Sequence, residues 1–343
     1  MMLRYAPLAL LLLIACLSPE DVEKGDVSTK ASDSEHIPNR HADVVFYNVE
    51  NLFDVKDHPR KDDNDFTPNG RNEWSQGRYE KKIQNLGRVI QSMDHGDGLP
   101  VLIGLAEVEN EDVVEDLGEF IASGSYGVVH HESQDRRGID LALLYDRSRF
   151  ELLDDEAEPI SFSQNGYTSR DILHVHGRLD GEEVHLYLNH WPSRREGRSE
   201  TEHRRLDAAR TLKMMVDQVK DSESSVIILG DFNDYPDNRS MTEVLDARPS
   251  DSPESSELIN LAYAPHMADK GTYPYKGDWG MLDQAIVSDD LMDGKGLELT
   301  QEGLEIHWRE FFLFYDKKYK EFKPNRTYGG PRYYGGYSDH LPI

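Results

Sequence analysis

The feature that most restricts the fold of this chain is a series of short apolar or alternating runs, each of which ends in polar residues. Six such runs are typical of β-strands, at residues 44–53, 99–110, 139–146, 183–191, 225–234 and 282–288. Between some of them lie helical patterns, of which the strongest cover residues 79–93 and 201–220. Many strands with few intervening helices predict packed sheets covered by helices, and they argue against a regular βαβ fold.

The run IILGDFND at residues 227–234 joins a buried apolar segment to two closely spaced polar side chains. Gly230 allows the backbone to turn tightly or to approach a ligand closely. If the strand continues beyond it, Asp231 and Asn233 point to the same side. That arrangement suits a metal or phosphate site, but the same residues also fit an Asx-rich turn.

The charge balance restricts the function. The 343 residues include 65 acidic and 38 basic ones, which gives a formal net charge of −27. Tight, sequence-independent binding of nucleic acid depends on many Lys and Arg contacts to phosphate, so this balance argues against it. An enzyme that holds phosphate through a divalent cation is compatible with such a charge.

The N-terminus has the pattern of a secretory signal. Arg4 precedes an apolar run over residues 6–15, which is too short to span a bilayer comfortably. The stretch Leu-Ile-Ala-Cys that ends at Cys16 resembles the lipobox of bacterial lipoproteins, in which the cysteine receives lipid. Cys16 is the only cysteine in the chain, so neither disulfides nor cysteine-rich metal sites are possible. The alternative is an ordinary cleaved signal that contains a cysteine by chance.

These features divide the chain into three parts. Residues 1–16 are predicted to be a lipoprotein signal peptide, residues 17–41 a flexible acidic tether, and residues 42–343 a folded domain. We therefore expect an extracytoplasmic protein that is anchored to a membrane through lipid, in the periplasm or at the cell surface, or that is otherwise secreted. No obligate protein partner is evident, and the chain is predicted to be a monomer.

Several of the predicted strands end in side chains that could serve one reaction. In chain order these are Asn48, Glu107, His190, Asp231 with Asn233, Asp283, and Asp339 with His340. The set resembles the endonuclease/exonuclease/phosphatase superfamily, which includes deoxyribonuclease I, and the similarity runs in order from about residue 43 to residue 343. GDFN and SDH are its most specific motifs. The resemblance implies an α/β fold, a four-layer αββα sandwich of two mixed, mainly antiparallel sheets.

The resemblance also implies a site for a hard divalent cation, Mg²⁺ first, with Mn²⁺ or Ca²⁺ as alternatives. Glu107 is expected to be the direct ligand, with Asn48 and Asp339 beside it, because such ions prefer carboxylate and amide oxygens. For Asn48 taken alone, a hydrogen bond at the strand end is the better explanation. The residue before the glutamate is Ala106, where the family often has glutamine, so a hydrogen bond behind the ligand is expected to be missing.

The family pattern gives roles to the remaining polar residues. Asp231 is expected to orient and deprotonate the attacking water, and Asn233 to contact the phosphoryl oxygen or to fix Asp231. His340 is expected to pair with Asp283, which favours the protonated imidazole. Whether Asp231 or His340 takes the proton is left open. His190 is expected to give a hydrogen bond or a proton to the phosphate or the leaving oxygen, with a core histidine as the alternative.

Arginines are concentrated near the predicted site. Arg194 and Arg195 follow the fourth strand, and Arg137 precedes the third. Guanidinium groups bind phosphate oxygens in two-point contacts, so these three are predicted to contact substrate phosphate. Arg204 and Arg205, a little later in the chain, could instead pair with acidic residues of their own helix.

The predicted function is metal-dependent hydrolysis of a phosphoester. The first expectation is an endonuclease that acts on nucleic acid, and the second is a phosphatase or a phospholipid-headgroup phosphodiesterase of the sphingomyelinase type. A surface binding protein that kept the fold and lost catalysis is a third alternative, which the intact motifs argue against.

Two further segments carry structural expectations. The polar loop at residues 54–78 is expected to be solvated rather than to bind Ca²⁺, because the spacing of its aspartates fits no regular pattern. The three residues after His340 predict only a short closing strand, where relatives usually continue further.

Overall fold

Two β-sheets pack face to face, and helices cover the outer face of each. The computed structural model describes residues 41–96, 98–219, 224–252, 256–300 and 304–343. Within that part of the chain, His41–Ile343 form one compact unit. Cys16 and nearly all of the predicted tether lie outside the described residues, as does Lys220 at the predicted end of a helix.

The secondary structure of the described residues is dominated by strands. The strands are β1 (Val44–Leu52), β2 (Leu102–Val108), β3 (Tyr126–His130), β4 (Asp140–Asp146), β5 (Phe150–Glu158), β6 (Ile172–Leu179), β7 (Glu182–His190), β8 (Ser225–Asp231), β9 (Ala247–Arg248), β10 (Leu258–Asn260), β11 (Tyr273–Tyr275), β12 (Asp278–Gly280), β13 (Asp283–Ser288), β14 (Leu313–Asp316), β15 (Glu321–Pro324), β16 (Tyr328–Gly329) and β17 (Arg332–Tyr333). The α-helices are α1 (Gln76–Gln91), α2 (Glu111–Ile121), α3 (Arg198–Val219) and α4 (Tyr263–Met267). Short 3₁₀ turns cover Asn64–Phe66, Asp289–Met292 and Glu310–Phe312, and a π-helical turn covers Ser240–Leu245.

Both main sheets are mixed and mainly antiparallel. The first has the strand order β1-β2-β4-β3, and the second has the order β5-β6-β7-β8-β13-β10-β9. The pairs β1–β2, β7–β8 and β9–β10 are parallel, and the other neighbours are antiparallel. The predicted sheet type is confirmed.

Three apolar layers hold the sandwich together. Between the sheets, one buried cluster contains side chains from both, such as Phe46 and Leu143 of the first sheet and Leu186 and Leu229 of the second. The sheets approach each other closely at Gly104, where a Cβ atom would lie 2.6 Å from a methyl carbon of Leu188. Helices α1 and α2 cover the outer face of the first sheet, and α3 covers that of the second. The predicted four-layer αββα sandwich is therefore confirmed.

Sequence periodicity located the long helices to within a few residues. Helix α1 begins at Gln76 and α3 at Arg198, in each case three residues before the predicted start. Helix α2 was missed, although the Asn110 side chain caps it by accepting a hydrogen bond from the Val113 N–H at 3.1 Å. The predicted strand run ends at residue 110, directly before this helix, and no helical pattern was predicted for residues 111–121.

The loop at residues 54–78 is anchored rather than fully solvated. The ring of Phe66 stacks on Phe53 with centroids 4.3 Å apart, and the buried Trp74 indole donates a hydrogen bond to the Phe53 carbonyl at 2.9 Å. Asp63, one of the aspartates of this loop, is 2% exposed. Aromatic side chains thus tie the loop to the first sheet, which an unpatterned polar composition did not indicate.

The last residues of the chain pair with the first strand. Ile343 and Phe46 exchange backbone hydrogen bonds of 2.9 and 3.0 Å, and the Leu341 N–H donates to the Thr272 carbonyl at 2.8 Å. These bonds hold the segment that carries His340 against the sandwich. Among the described residues, no helix is both long and apolar enough to cross a membrane.

Candidate active site

Strand pairing brings the predicted catalytic residues to one edge of the sandwich. The parallel pair β7–β8 sets His190 opposite Asp231, and the antiparallel pair β8–β13 sets Asp283 opposite the same aspartate. Asp231 is therefore flanked on both sides within the second sheet. From the first sheet, the Asn48 side-chain amide reaches across and donates a hydrogen bond to Asp231 Oδ2 at 3.1 Å.

The GDFN segment leaves the strand directly after its aspartate. Asn233 has a φ of 50°, and its backbone N–H donates to Asp231 Oδ1 at 3.0 Å. The strand geometry does not continue, and the Asx turn considered from the sequence forms instead. The Asn233 side chain donates to the Trp191 carbonyl at 3.0 Å, so Asn233 fixes Asp231 through its backbone. Gly230 serves the close approach of β7, because a Cβ there would lie 2.5 Å from a backbone oxygen of Asn189.

Asp231 is a buried carboxylate with two imidazoles close to one oxygen. It is 2% exposed, and its Oδ2 lies 3.6 Å from His190 Nε2 and 3.8 Å from His340 Nε2. Burial raises the pKa of Asp231, an effect that Asp283 strengthens and His340 opposes. A carboxylate with a raised pKa is a stronger proton acceptor than an exposed aspartate, which is what a general base requires.

His340 is held by Asp283, as the sequence predicted. Its Nδ1 lies 2.7 Å from Asp283 Oδ2, and the Thr272 hydroxyl donates a hydrogen bond to the same oxygen. Burial alone would lower the pKa of His340, but Asp283 and Asp231 outweigh it and raise that pKa to about 10. The imidazole is therefore protonated at neutral pH, and its Nε2–H faces Asp231. The ring of Tyr273 packs against it with centroids 4.7 Å apart.

His190 is uncharged, in contrast to His340. Burial lowers its pKa well below the usual value, and the positive charges of Arg170 and Arg137 lower it further. Arg170 fixes the strand end by donating hydrogen bonds to the His190 carbonyl at 3.1 Å and to the Trp191 carbonyl at 2.7 Å. His190 Nδ1 is buried and has no hydrogen-bond partner within the described part of the chain. The two histidines beside Asp231 thus supply one neutral and one cationic ring.

Glu107 occupies a strained position at the end of β2. Its φ is 67°, and the register of β2 shifts between Ala106 and Val108, which marks a bulge. Its Oε2 accepts the Asn51 N–H at 3.0 Å, while its Oε1 lies 3.8 Å from His190 Nε2. Positive φ angles in residues other than glycine are costly and cluster at functional sites. The bulge turns this carboxylate toward the edge where Asp231 lies.

Comparisons with known proteins decide the family. The model of the endonuclease/exonuclease/phosphatase family matches residues 43–343. The chain belongs to this family. Its members are metal-dependent phosphoric ester hydrolases, and this protein is therefore assigned to that class of enzyme. A search of curated protein sequences found no match.

Solved structures with the same fold come from distant relatives. TDP2 from D. rerio, complexed with a single-strand DNA product, is 14% identical with a TM-score of 0.53, over 88% of this chain and 96% of that one. A mannosyl-6-phosphatase from Bacteroides thetaiotaomicron is 14% identical with a TM-score of 0.52, over 88% and 97% of the two chains. An endonuclease/exonuclease/phosphatase family protein from the same bacterium is 14% identical with a TM-score of 0.52, over 87% and 94%. At this identity the likeness shows the fold alone.

The donor set at the edge fits the divalent cation that the family requires. Glu107 and Asp339 are partly exposed, with side-chain exposures of 16% and 18%, so their carboxylates can be reached from outside. Glu107 Oε1 has no N–H or O–H donor among the described residues, and oxygen donors of this kind suit Mg²⁺. Asn48 is already committed, because its Oδ1 accepts the Glu50 N–H at 3.1 Å and its amide donates to Asp231. The Asn48 oxygen would therefore bind a cation while it also accepts the Glu50 N–H.

A charged network behind Asp339, buried at Glu50 and Lys82, was not anticipated. Arg326 donates to Asp339 Oδ2 at 2.8 Å and lies 3.3 Å from Glu50 Oε1. Burial and then Asp339 raise the pKa of Glu50 to about 7. Burial lowers the pKa of Lys82 to about 8, and its ammonium donates to Thr327 Oγ1 at 2.6 Å. The only signal in the sequence was a glutamate two positions after Asn48 within an apolar strand.

The three predicted phosphate-binding arginines lie in different environments. Arg194 turns inward, where it donates to the Asn233 carbonyl at 2.5 Å and to Asp234 Oδ1 at 3.0 Å. Arg195 is exposed in the loop after β7. Arg137 has 46% of its side chain exposed and lies 3.4 Å from Asp135. The positive charge of Arg137 also contributes to the low pKa of His190.

Proposed function

We propose that this protein hydrolyses phosphodiester bonds of nucleic acid as a divalent-metal-dependent endonuclease. The observation that carries the proposal is the environment of Asp231, a buried carboxylate with Asn48, His190 and His340 around one oxygen. Hydrolysis needs an activated water on one side of the phosphorus and stabilised charge on the phosphoryl and leaving oxygens. Acceptor and donors for both tasks lie within this cluster.

Asp231, rather than His340, is proposed as the general base. His340 is cationic because Asp283 holds it, so it has no free lone pair with which to accept a proton. Asp231 has a raised pKa and a fixed orientation, since the Asn233 N–H and the Asn48 amide each bind one of its oxygens. A carboxylate that is both oriented and more basic than usual can take the proton of the attacking water.

The two histidines are proposed to act on the phosphate. The Nε2–H of His340 carries a positive charge and can hydrogen-bond the negative charge that develops on a phosphoryl oxygen. His190 is neutral, so it can donate one N–H without adding a second full charge next to the first. Because their charge states differ, a strong donor and a weak donor both lie next to Asp231.

A divalent ion would be held by Glu107, with Asp339 and the Asn48 oxygen beside it. When bound, it would supply Lewis-acid stabilisation of the charge on the phosphate. The strained backbone at Glu107 supports this role, because the bulge presents a carboxylate that the regular strand would not. Mg²⁺ fits the all-oxygen donor set best, with Mn²⁺ next.

The substrate class is proposed from the surface around the cluster. Arg137 is half exposed beside the site, Arg195 is exposed in the adjacent loop, and Arg198 is exposed at the start of α3. The same fold holds a single-strand DNA product in TDP2 from D. rerio, which supports a nucleic acid substrate. With a net charge of −27, the protein is expected to bind such a substrate briefly and with strong salt dependence.

A phosphomonoesterase is the second candidate, and one observation favours it. Arg194 lies just before α3, and Arg205 lies within it. Both bind Asp234 inside the protein instead of facing a long substrate. Within the described part of the chain, these two cations are then not available to the phosphates that flank a scissile bond, which suits a small substrate with one phosphate. A mannosyl-6-phosphatase with the same fold supports this alternative.

A nicking assay separates the two. Full-length protein is incubated with supercoiled plasmid, single-stranded DNA and RNA, and in parallel with sugar phosphates, each with Mg²⁺, Mn²⁺ or Ca²⁺ and with EDTA. We expect conversion of plasmid to the nicked form that EDTA and Asp231→Asn abolish. Release of phosphate from the monoesters without any nicking would overturn the endonuclease proposal and support the second candidate.

The location of the enzyme is a further proposal. We propose that Cys16 is lipidated and that the enzyme works outside the cytoplasm on a membrane anchor, because a signal-like apolar run leads into the only cysteine of the chain. Cys16→Ser is then expected to move the protein from the membrane fraction to the soluble extracytoplasmic fraction. Wild-type protein that takes up no labelled fatty acid would rule out the anchor and leave a simple secretory signal.

A further inference from the structure

Three potential metal ligands meet at the base of the loop between β3 and β4. His130 is the last residue of β3, Asp140 is the first of β4, and Glu132 lies between them in the chain. One ligand atom from each lies within 4.8 Å of the other two. The group is separate from the cluster of Asp231, Asp283 and His340 described above.

Two of these ligand atoms are buried and face each other without a bond. His130 Nε2 and Asp140 Oδ2 lie 3.6 Å apart, which is too long for a hydrogen bond. The exposures of the two side chains are 5% and 1%, and neither atom has a hydrogen-bond partner in the described residues. Buried polar atoms are normally satisfied, so a facing pair of unsatisfied ones requires an explanation.

The positions of the remaining groups are compatible with a bound cation. Asp140 Oδ1 accepts the Ser133 N–H at 3.0 Å, which orients Oδ2 toward His130. The third side chain, Glu132, is half exposed and can swing inward. Lys61 lies 3.5 Å from Glu132 but donates its ammonium hydrogen bonds to the carbonyls of Ser133 and Asp135, so it does not neutralise Asp140.

We propose that His130, Glu132 and Asp140 bind a Zn²⁺ ion that is distinct from the catalytic cation. A tetrahedral zinc with one imidazole and one carboxylate ligand holds their donor atoms about 3.4 Å apart, close to the 3.6 Å found here. Mg²⁺ and Ca²⁺ prefer oxygen ligands alone, whereas an imidazole nitrogen with carboxylates suits zinc. Water would complete the coordination.

The proposed ion closes a loop that serves the active site. Between its ligands lie Asp135, which binds Arg170 at 3.1 Å, and Arg137, whose charge acts on His190. Arg170 in turn holds the His190 carbonyl. A zinc ion at the base of the loop would fix the ends of the segment that carries these groups, so it would act as a structural clamp and not as part of the chemistry.

Zinc titration of the full-length, metal-free protein tests the proposal. Excess Mg²⁺ is present throughout to compete for sites made of oxygen donors, and binding is followed calorimetrically. We expect one equivalent of Zn²⁺ to bind to the wild type. The affinity should fall by about a hundredfold in His130→Gln and by at least about tenfold in Glu132→Gln, because each removes a ligand.

Two matched variants make the result specific. His131→Gln removes the neighbouring histidine, which contacts Asp155 instead and should leave zinc binding unchanged. Asp231→Asn alters the active-site cluster and should also leave it unchanged. The proposal is overturned if the wild type binds no zinc, if His130→Gln and Glu132→Gln bind it like the wild type, or if only Asp231→Asn loses it. Glu132 is exposed, so its variant reports binding even if His130→Gln destabilises the fold.

Discussion

A buried pair of one carboxylate and one imidazole occurs twice in this protein, with different spacing. In the contact pair, Asp283 and His340, the oxygen and nitrogen are 2.7 Å apart. In the gapped pair, Asp140 and His130, they are 3.6 Å apart. Thr272 donates a further hydrogen bond to the contact pair, whereas the facing atoms of the gapped pair have no hydrogen-bond partner among the described residues.

The difference shows how spacing decides what such a pair can do. At hydrogen-bond distance the carboxylate stabilises the imidazolium and fixes its orientation, which makes the ring a cationic donor. At 3.6 Å the same two groups leave a space that matches two ligands of one metal ion. We therefore propose a catalytic role for the contact pair and metal binding for the gapped pair.

The largest expected difference between the pairs is in turnover. His340→Gln should lower kcat on a phosphodiester by about a thousandfold, because it removes the cationic donor to the phosphate. His130→Gln, the same substitution in the gapped pair, should change kcat by less than about tenfold, since that residue touches no reacting atom. Steady-state kinetics on bis(p-nitrophenyl) phosphate in excess Mg²⁺ would measure both. Equal losses in the two variants would remove the distinction between the pairs.

A second difference is expected in the pH dependence. His340 must be protonated to act, so kcat/KM should fall as the pH rises through the pKa of its imidazole, which is about 10 in the wild type. Asp283→Asn removes the main group that raises this pKa, so the alkaline limb should move to lower pH, by one unit or more. Asp140→Asn should leave the limb in place. If the alkaline limb lies at the same pH in Asp283→Asn as in the wild type, another group titrates there.

The smallest expected difference is in stability. His340 has a raised pKa in the folded protein, so its pairing stabilises the fold fully below the unfolded pKa of about 6.5, and this contribution is lost as the pH rises toward 10. In EDTA at pH 6, Asp283→Asn should lower the free energy of unfolding by about 2 kcal/mol, as expected for a hydrogen bond to a charged group.

Asp140→Asn is the matched variant for stability. It keeps an oxygen to accept the Ser133 N–H and removes a carboxylate charge that has no hydrogen-bonded partner at its second oxygen. The change in the free energy of unfolding should then be below about 1 kcal/mol in EDTA. Urea denaturation of both variants would measure the two losses of unfolding free energy. A larger loss for Asp140→Asn than for Asp283→Asn would contradict the expected order.

The sequence predicted the residues at the strand ends better than their surroundings. Asp231, Asp283 and His340 could be found because each follows or begins an apolar run or stands in a specific motif. Their approach in space depends on strand order and register, which the resemblance supplied and the pattern alone did not. His190 is neutral and His340 is cationic because of burial and of neighbours that are distant in sequence, so no local sequence signal indicates these charge states.

Other parts of the site were beyond sequence reasoning for specific physical reasons. Arg194 was expected to bind phosphate, but its guanidinium donates hydrogen bonds to Asp234 and to the Asn233 carbonyl. These partners lie about 40 positions away in the chain, so the contact depends on the tertiary structure. The strained φ of Glu107 follows from a β-bulge, and the sequence of residues 99–110 contains no pattern that predicts a bulge. Lys82 lies on the buried face of α1, where a charged residue contradicts the usual pattern. Its ammonium donates hydrogen bonds to Thr327 and to the Tyr337 carbonyl, and Glu50 and Asp339 stabilise its charge.

The central claim is that Asp283 and His340 act as one unit in the hydrolysis of a phosphoester. A double-mutant cycle tests it most directly, with kcat/KM measured on one diester for the wild type, Asp283→Asn, His340→Ala and the double variant. If the carboxylate acts through the imidazole, the double variant should lose little more than His340→Ala alone, because the second change removes a group that no longer has a partner. If the two losses multiply, the residues act independently, and the contact pair is not the catalytic unit described here.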